Sequence, residues 1–134
     1  MSAPEGFIET QLVDPYEVHF GPIYERGEKG ARRFALRIDE RHLNGRGVVH
    51  GATFMSFADA AFGQAAWDAC DHAHVVTLNM QNQFLAPVHA GDLLEVEPVL
   101  VKRTRTMIFL RGDFTVAGNP VYSAASVWKI LGAE

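Results

Sequence analysis

The chain is short of cysteine, of surplus positive charge and of long apolar runs, and each shortage removes a class of protein. Its 134 residues include one cysteine, Cys70, so no internal disulfide can form. That thiol falls near the end of an apolar run, with no helix start or basic cluster to activate it, and reads as inert. No stretch approaches the roughly 18 consecutive apolar residues that a membrane-spanning helix needs. The first ten residues carry Glu5 and Glu9 and lack the cationic start and apolar middle of a secretory signal. Together these features point to a reducing, cytoplasmic setting. A net charge of −4 argues against nucleic acid as a partner, because duplex binding depends on neutralising phosphates. Nor is there a Gly-x-Ser-x-Gly elbow to support a serine nucleophile. The histidines, including His72 and His74 two positions apart, form no recognisable ligand set, so neither metal nor cofactor is expected.

What is present reads as one domain over residues 1–134, since no repeat, low-complexity tract or long linker divides it. The segment Pro4–Phe20 is mixed, with a short helix at most before Pro15 and Gly21-Pro22 interrupt it. Ile23–Arg26 and Ala31–Ile38 read as strands around Gly27-Glu28-Lys29-Gly30. In the second strand Phe34, Leu36 and Ile38 alternate with Arg33, Ala35 and Arg37, giving one apolar and one mainly basic face. The period then changes. Phe54, Phe57, Ala58, Ala61, Phe62, Ala65 and Ala69 recur at three- and four-residue intervals, which predicts a helix beginning at Gly51. Its many alanines allow close approach by a neighbour and so predict burial. Val75–Leu85, Leu93–Arg103, Thr106–Val116 and Val121–Leu131 are rich in β-branched and aromatic residues and are joined by short connections, which implies antiparallel pairing. The expected class is α+β, one antiparallel sheet and one buried helix; periodicity leaves open whether the sheet curls or lies flat.

The loop His42–Gly51 runs straight into that helix. A helix start offers N–H groups without internal partners, and its dipole favours developing negative charge. Glycine at position 51 would let a carbonyl approach such an N–H, where an oxyanion would be stabilised. The plainer alternative is that Gly45, Gly47 and Gly51 only shape a loop. Asp59 stands alone among small and apolar helix residues, so it is solvated, paired or functional. Eight residues separate it from Gly51, about 12 Å of helix rise, so the two cannot easily serve one small group within a single chain. If they cooperate, the site combines two subunits. Lys102, Arg103 and Arg105 form the one basic cluster, at a hairpin tip, and suit either the phosphates of a nucleotide tail or plain solvation. Phe54, Phe57, Phe62, Trp67 and Phe84 read first as core and second as the lining of an aromatic pocket.

Asn44, Gly47, His50-Gly51 and Asp59 together resemble the hotdog thioesterases, in particular the phenylacetate-pathway (PaaI-like) subgroup. The family pattern is approximately Asn-x-x-Gly-x-x-His-Gly-Gly with an acid seven residues beyond; here Ala52 replaces the second glycine and Asp59 keeps the spacing. Phe84-Leu85-Ala86-Pro87 and Ala90-Gly91-Asp92 also fit, and the likeness runs from about Arg37 to Leu131, leaving residues 1–20 as a poorly matched N-terminal extension. The resemblance implies a curved antiparallel sheet wrapped around one long helix, pairing into a homodimer and often a homotetramer. It implies an acyl-CoA thioesterase acting on acyl or aryl-acyl thioesters. Gly51 would polarise the carbonyl, with Asn44 and His50 positioning, Thr77 orienting water, and Asp59 of the partner acting as base or nucleophile. Lys102, Arg103 and Arg105 would meet coenzyme A. Two readings compete with this one. A thioester hydratase or dehydratase would show a different histidine-and-acid motif, and a non-catalytic acyl-CoA-binding protein would have no need of Asp59.

Overall fold

The computed structural model describes residues 2–11, 14–71 and 73–132; His72 lies outside them. In chain order the elements are β1 (Ile8–Glu9), α1 (Glu17–Phe20), β2 (Ile23–Arg26), β3 (Arg33–Arg37), a 3-10 turn (Glu40–His42) and α2 (Gly51–Ala69). Then come β4 (Val75–Phe84), β5 (Leu93–Val96), β6 (Val99–Arg103), β7 (Met107–Val116) and β8 (Asn119–Ile130). The strands form one sheet in the order β1-β2-β3-β5-β7-β8-β4, with β6 also paired to β7, and every pairing is antiparallel.

Period-two alternation decides which sheet face meets α2. In β7, Ile108, Leu110 and Phe114 are buried; in β8, Tyr122, Ala124, Trp128 and Ile130 are. They join Phe54, Phe57, Ala58, Ala61, Phe62 and Ala66 of α2 in one core, with Phe114 meeting Phe57 and Phe62 edge-on. Each fully buried ring stabilises the fold by about 1.5–3 kcal/mol of apolar transfer. The same core takes in Ile23 of β2 at one side and Met80 of β4 at the other. Six strands at about 4.8 Å spacing are roughly twice as wide as a helix, so a flat sheet would leave its outer strands off α2. The sheet therefore curls over the helix, which resolves the choice that periodicity left open.

Three local expectations change. The predicted strand Leu93–Arg103 is two, β5 and β6, parted at Glu97-Pro98, where proline supplies no ladder N–H. Asn119 and Pro120 belong to β8 rather than to the turn before it; Ala117 and Gly118, with φ of 49° and 82°, make a two-residue hairpin turn. The face of β3 opposite the helix is not simply basic. Ala35 is fully buried there with Phe7 and Tyr24, because the N-terminal strand β1 extends the sheet past β2 and its flanking Phe7 covers that face. Arg33 on the same face pairs with Glu95 at 3.0 Å.

Candidate active site

The loop before α2 is held by its own side chains. Asn44 Oδ1 accepts from the backbone N–H of Arg46 at 2.8 Å, closing a tight loop in which Gly47 takes φ of 83°. His50 is the N-cap of α2, its Nδ1 accepting from Ala52 N–H at 3.0 Å while its carbonyl accepts from Thr53 N–H at 2.9 Å. The amides at 52 and 53 are thereby satisfied. The amide of Gly51 has no acceptor among the described residues, and Gly51 lines a cleft of about 490 Å³ with Arg46, Val49, Phe54, Phe84 and Pro87. A Cβ at Gly51 would meet the Phe84 ring at 3.4 Å, an ordinary van der Waals contact.

Asp59 lies two turns further along α2 and is exposed. Thr77 Oγ1 donates to its Oδ1 at 2.7 Å, which fixes the carboxylate and leaves Oδ2 free. The contact depends on an irregularity in β4. Thr77 pairs with Trp128 and Asn79 with Val127, so Leu78 is an extra, bulged residue. A bulge reverses the alternation beyond it. Thr77 thus shares the inward face with Met80, Asn82 and Phe84, and Asn82 accepts a short hydrogen bond from the buried Tyr122 hydroxyl. The other acid of the helix, Asp68, contrasts with Asp59: it is buried and bound by Arg32 at 2.6 Å, and Arg32 also reaches Glu25.

Asp59 opens into a second cleft, of about 480 Å³, walled by Gly63, Trp67 and Trp128 and rimmed by Gln64 and His74. Gly51 and Asp59 thus face different clefts of one chain, in keeping with their separation along the helix. The second cleft also holds residues that the sequence did not single out. Asp14 and Glu17 line it, brought there by the N-terminal segment. Burial pushes the Glu17 carboxyl up to about 7, and the charges of Asp14 and Asp59 push it the same way. No local signal marks Glu17 beyond the Asp14-x-x-Glu17 spacing, which lets Asp14 Oδ1 accept from Glu17 N–H at 2.8 Å. Lys102, Arg103 and Arg105 are exposed at the end of β6 and in the turn after it, and line neither cleft. Among the described residues no cluster of three or more His, Cys, Asp or Glu is gathered to hold a metal, and no helix is long and apolar enough to cross a membrane.

Comparison with known proteins agrees with this architecture. The profile of the Thioesterase superfamily matches residues 46–122. A Pseudomonas aeruginosa protein named as a presumptive esterase is 30% identical over 132 residues, covering 97% of this chain and 98% of its own. Among solved structures, a mutant of the phenylacetic acid degradation protein PaaI of Thermus thermophilus superimposes with a TM-score of 0.79 at 24% identity, over 88% of this chain and 100% of that one. A hypothetical thioesterase of Streptococcus pneumoniae, solved with coenzyme A, gives 0.78 at 20% identity over 86% and 93%. The chain belongs to the thioesterase superfamily and has its hotdog fold.

Proposed function

We propose that the protein is an acyl-CoA thioesterase of the PaaI-like kind, hydrolysing an acyl or aryl-acyl coenzyme A to the free acid and CoA at a site shared by two subunits. The observation that carries this reading is the pairing of a free Gly51 amide in one cleft with a Thr77-held Asp59 in another. The amide is a ready donor for a thioester carbonyl, and the helix start favours the negative charge that forms on its oxygen. Asp59, with one oxygen bound and one free, is suited to take a proton from water as that water attacks the carbonyl carbon. The C–S bond then breaks and CoA leaves as its thiol. Attack by Asp59 itself is the alternative role, and the free oxygen serves either. His50 and Asn44 act indirectly, by shaping the helix start that presents Gly51.

Because the clefts are separate, the reading requires that two subunits assemble. The 10-residue strand β4 ends the sheet with one edge unpaired and Val76 and Leu78 exposed, a surface suited to antiparallel pairing with a second copy. Exposed Val99, Leu100 and Val101 on β6 offer a further contact for a dimer of dimers. Lys102, Arg103 and Arg105 carry the positive charge available to CoA phosphates. The test is free-thiol release from a panel of short, long and aromatic acyl-CoAs by wild type and Asp59→Ala. Release by wild type that is lost in the variant supports the reading and names the acyl preference. Binding without release would replace it by a non-catalytic acyl-CoA-binding protein.

A further inference from the structure

The N-terminal segment, outside the part of the chain that the family profile matches, is pinned against the site by specific contacts. Tyr16 shares a hydrogen bond of 2.8 Å with Ser56, one turn before Asp59 on α2. Arg41 donates to the carbonyls of His19 and Gly21 at 2.9 and 2.7 Å, and the buried His42 meets the Phe20 carbonyl through Nε2 at 2.6 Å. These ties hold α1 in place and set the Glu17 side chain, half-buried, in the Asp59 cleft.

We propose that Glu17 is a positioning residue for Asp59: set in the same cleft, it carries a proton and so keeps a second negative charge away from Asp59 and from the carbonyl under attack. This rests on the thioesterase reading for its catalytic meaning, though not for the pairing itself. The groups facing Glu17 are Asp14 from the preceding turn, Asp59 from α2, His74 at the entry to β4, and Glu9 of β1 across the adjoining groove. Among the described residues no lysine or arginine lines either groove. Partial burial, and then the charges of Asp14 and Asp59, make ionisation of Glu17 costly and hold its proton on well above the usual carboxylate range, up to about 7. When Glu17 ionises, a second negative charge faces the carbonyl on which charge must build during attack. Thioester hydrolysis should then slow. In each turnover Asp59 gains one proton from water and returns it as the C–S bond breaks, to the sulfur; Glu17 begins and ends with its own.

Two measurements on the intact protein decide the proposal. First, kcat/KM for the best acyl-CoA is followed from pH 5 to 9 in wild type, Glu17→Gln and Glu17→Asp. Wild type and Glu17→Asp should show an alkaline decline. Glu17→Gln, permanently neutral, should keep activity within about threefold at pH 7 and lose that decline. A decline unchanged in Glu17→Gln would overturn the proposal, since a purely structural glutamate leaves the pH profile in place. Second, NMR titration of the Glu17 side-chain carboxyl in wild type and Asp59→Asn needs no turnover. The midpoint should move to lower pH by on the order of half a unit when the Asp59 charge is removed. An unmoved midpoint would also overturn the pairing. If wild type releases no thiol from any acyl-CoA while the midpoint still moves, the thioesterase reading fails and the carboxyl pair stands.

Discussion

At the scale of single residues, position in the chain and environment in the fold have to be separated. Asp59 and Asp68 are both acids of α2 and nine residues apart, yet one is a free-edged carboxylate bound by a threonine and the other is buried against an arginine. Asp59→Asn keeps the shape and removes the proposed base, so kcat should fall on the order of a hundredfold or more with an unchanged melting temperature, as stopped-time thiol release and calorimetry would show. Spacing and resemblance single out Gly51, Asn44 and Asp59 as candidates. Glu17 is not among them, because what makes it unusual is a cleft assembled from segments as far apart in the chain as Asp14 and Trp128. It also makes a stability prediction. A carboxyl whose folded value lies above its ordinary 4.5 binds protons more tightly in the folded state. The protein should therefore lose stability as pH rises from about 4.5 to about 7 on its account. Glu17→Gln removes that loss: denaturant melts at pH 8 should show the variant more stable by about 1 kcal/mol after solvent screening, and no such gain at pH 4.

At the scale of elements, long periodic segments were readable and their irregularities were not. The stripe Phe54–Phe62 places α2 and its buried face well, since the helical period is set by the core it meets. The bulge at Leu78 was invisible to strict alternation, which would put Thr77 and Asn79 on one face; the structure keeps Thr77 inward and turns Asn79 away. The break at Glu97-Pro98 was written in the proline but hidden by the apolar residues on either side. Close approach between elements is equally silent in a sequence. A Cβ at Gly112 of β7 would lie 2.8 Å from Val96 Cγ2 and 3.1 Å from the Phe62 ring, so glycine there lets strand and helix meet. Gly112→Ala should destabilise the fold by about 1–3 kcal/mol through overpacking. Gly45→Ala, at a position with open space around it and no positive φ, should stay within about 0.5 kcal/mol in the same urea melts.

At the scale of the whole molecule, the placement of Gly51 and Asp59 in different clefts is the feature with the largest consequence for the proposed site, and their separation was partly legible. The step of eight positions from Gly51 to Asp59 already argued against one chain serving both ends of the reaction. The unpaired edge of β4 adds a means of bringing a second copy alongside. Two inactive variants can test this jointly. Asp59→Asn removes the base. Gly51→Pro removes the amide donor, and it should be tolerated, because proline suits the first helical position and His50 before it is already extended at ψ of 137°. Each variant alone should show little thiol release. If the site is shared, a dimer of one with the other contains one intact site, with Gly51 from the first chain and Asp59 from the second. Random exchange of equal amounts makes half the dimers mixed, so activity should recover to about a quarter of wild type. If Gly51 and Asp59 serve the same substrate within one chain, every site in the mixture carries a defect and nothing is recovered. Added Val76→Lys and Leu78→Lys changes on the β4 edge, read beside sedimentation to follow dimer loss, should abolish the recovery while leaving each chain folded.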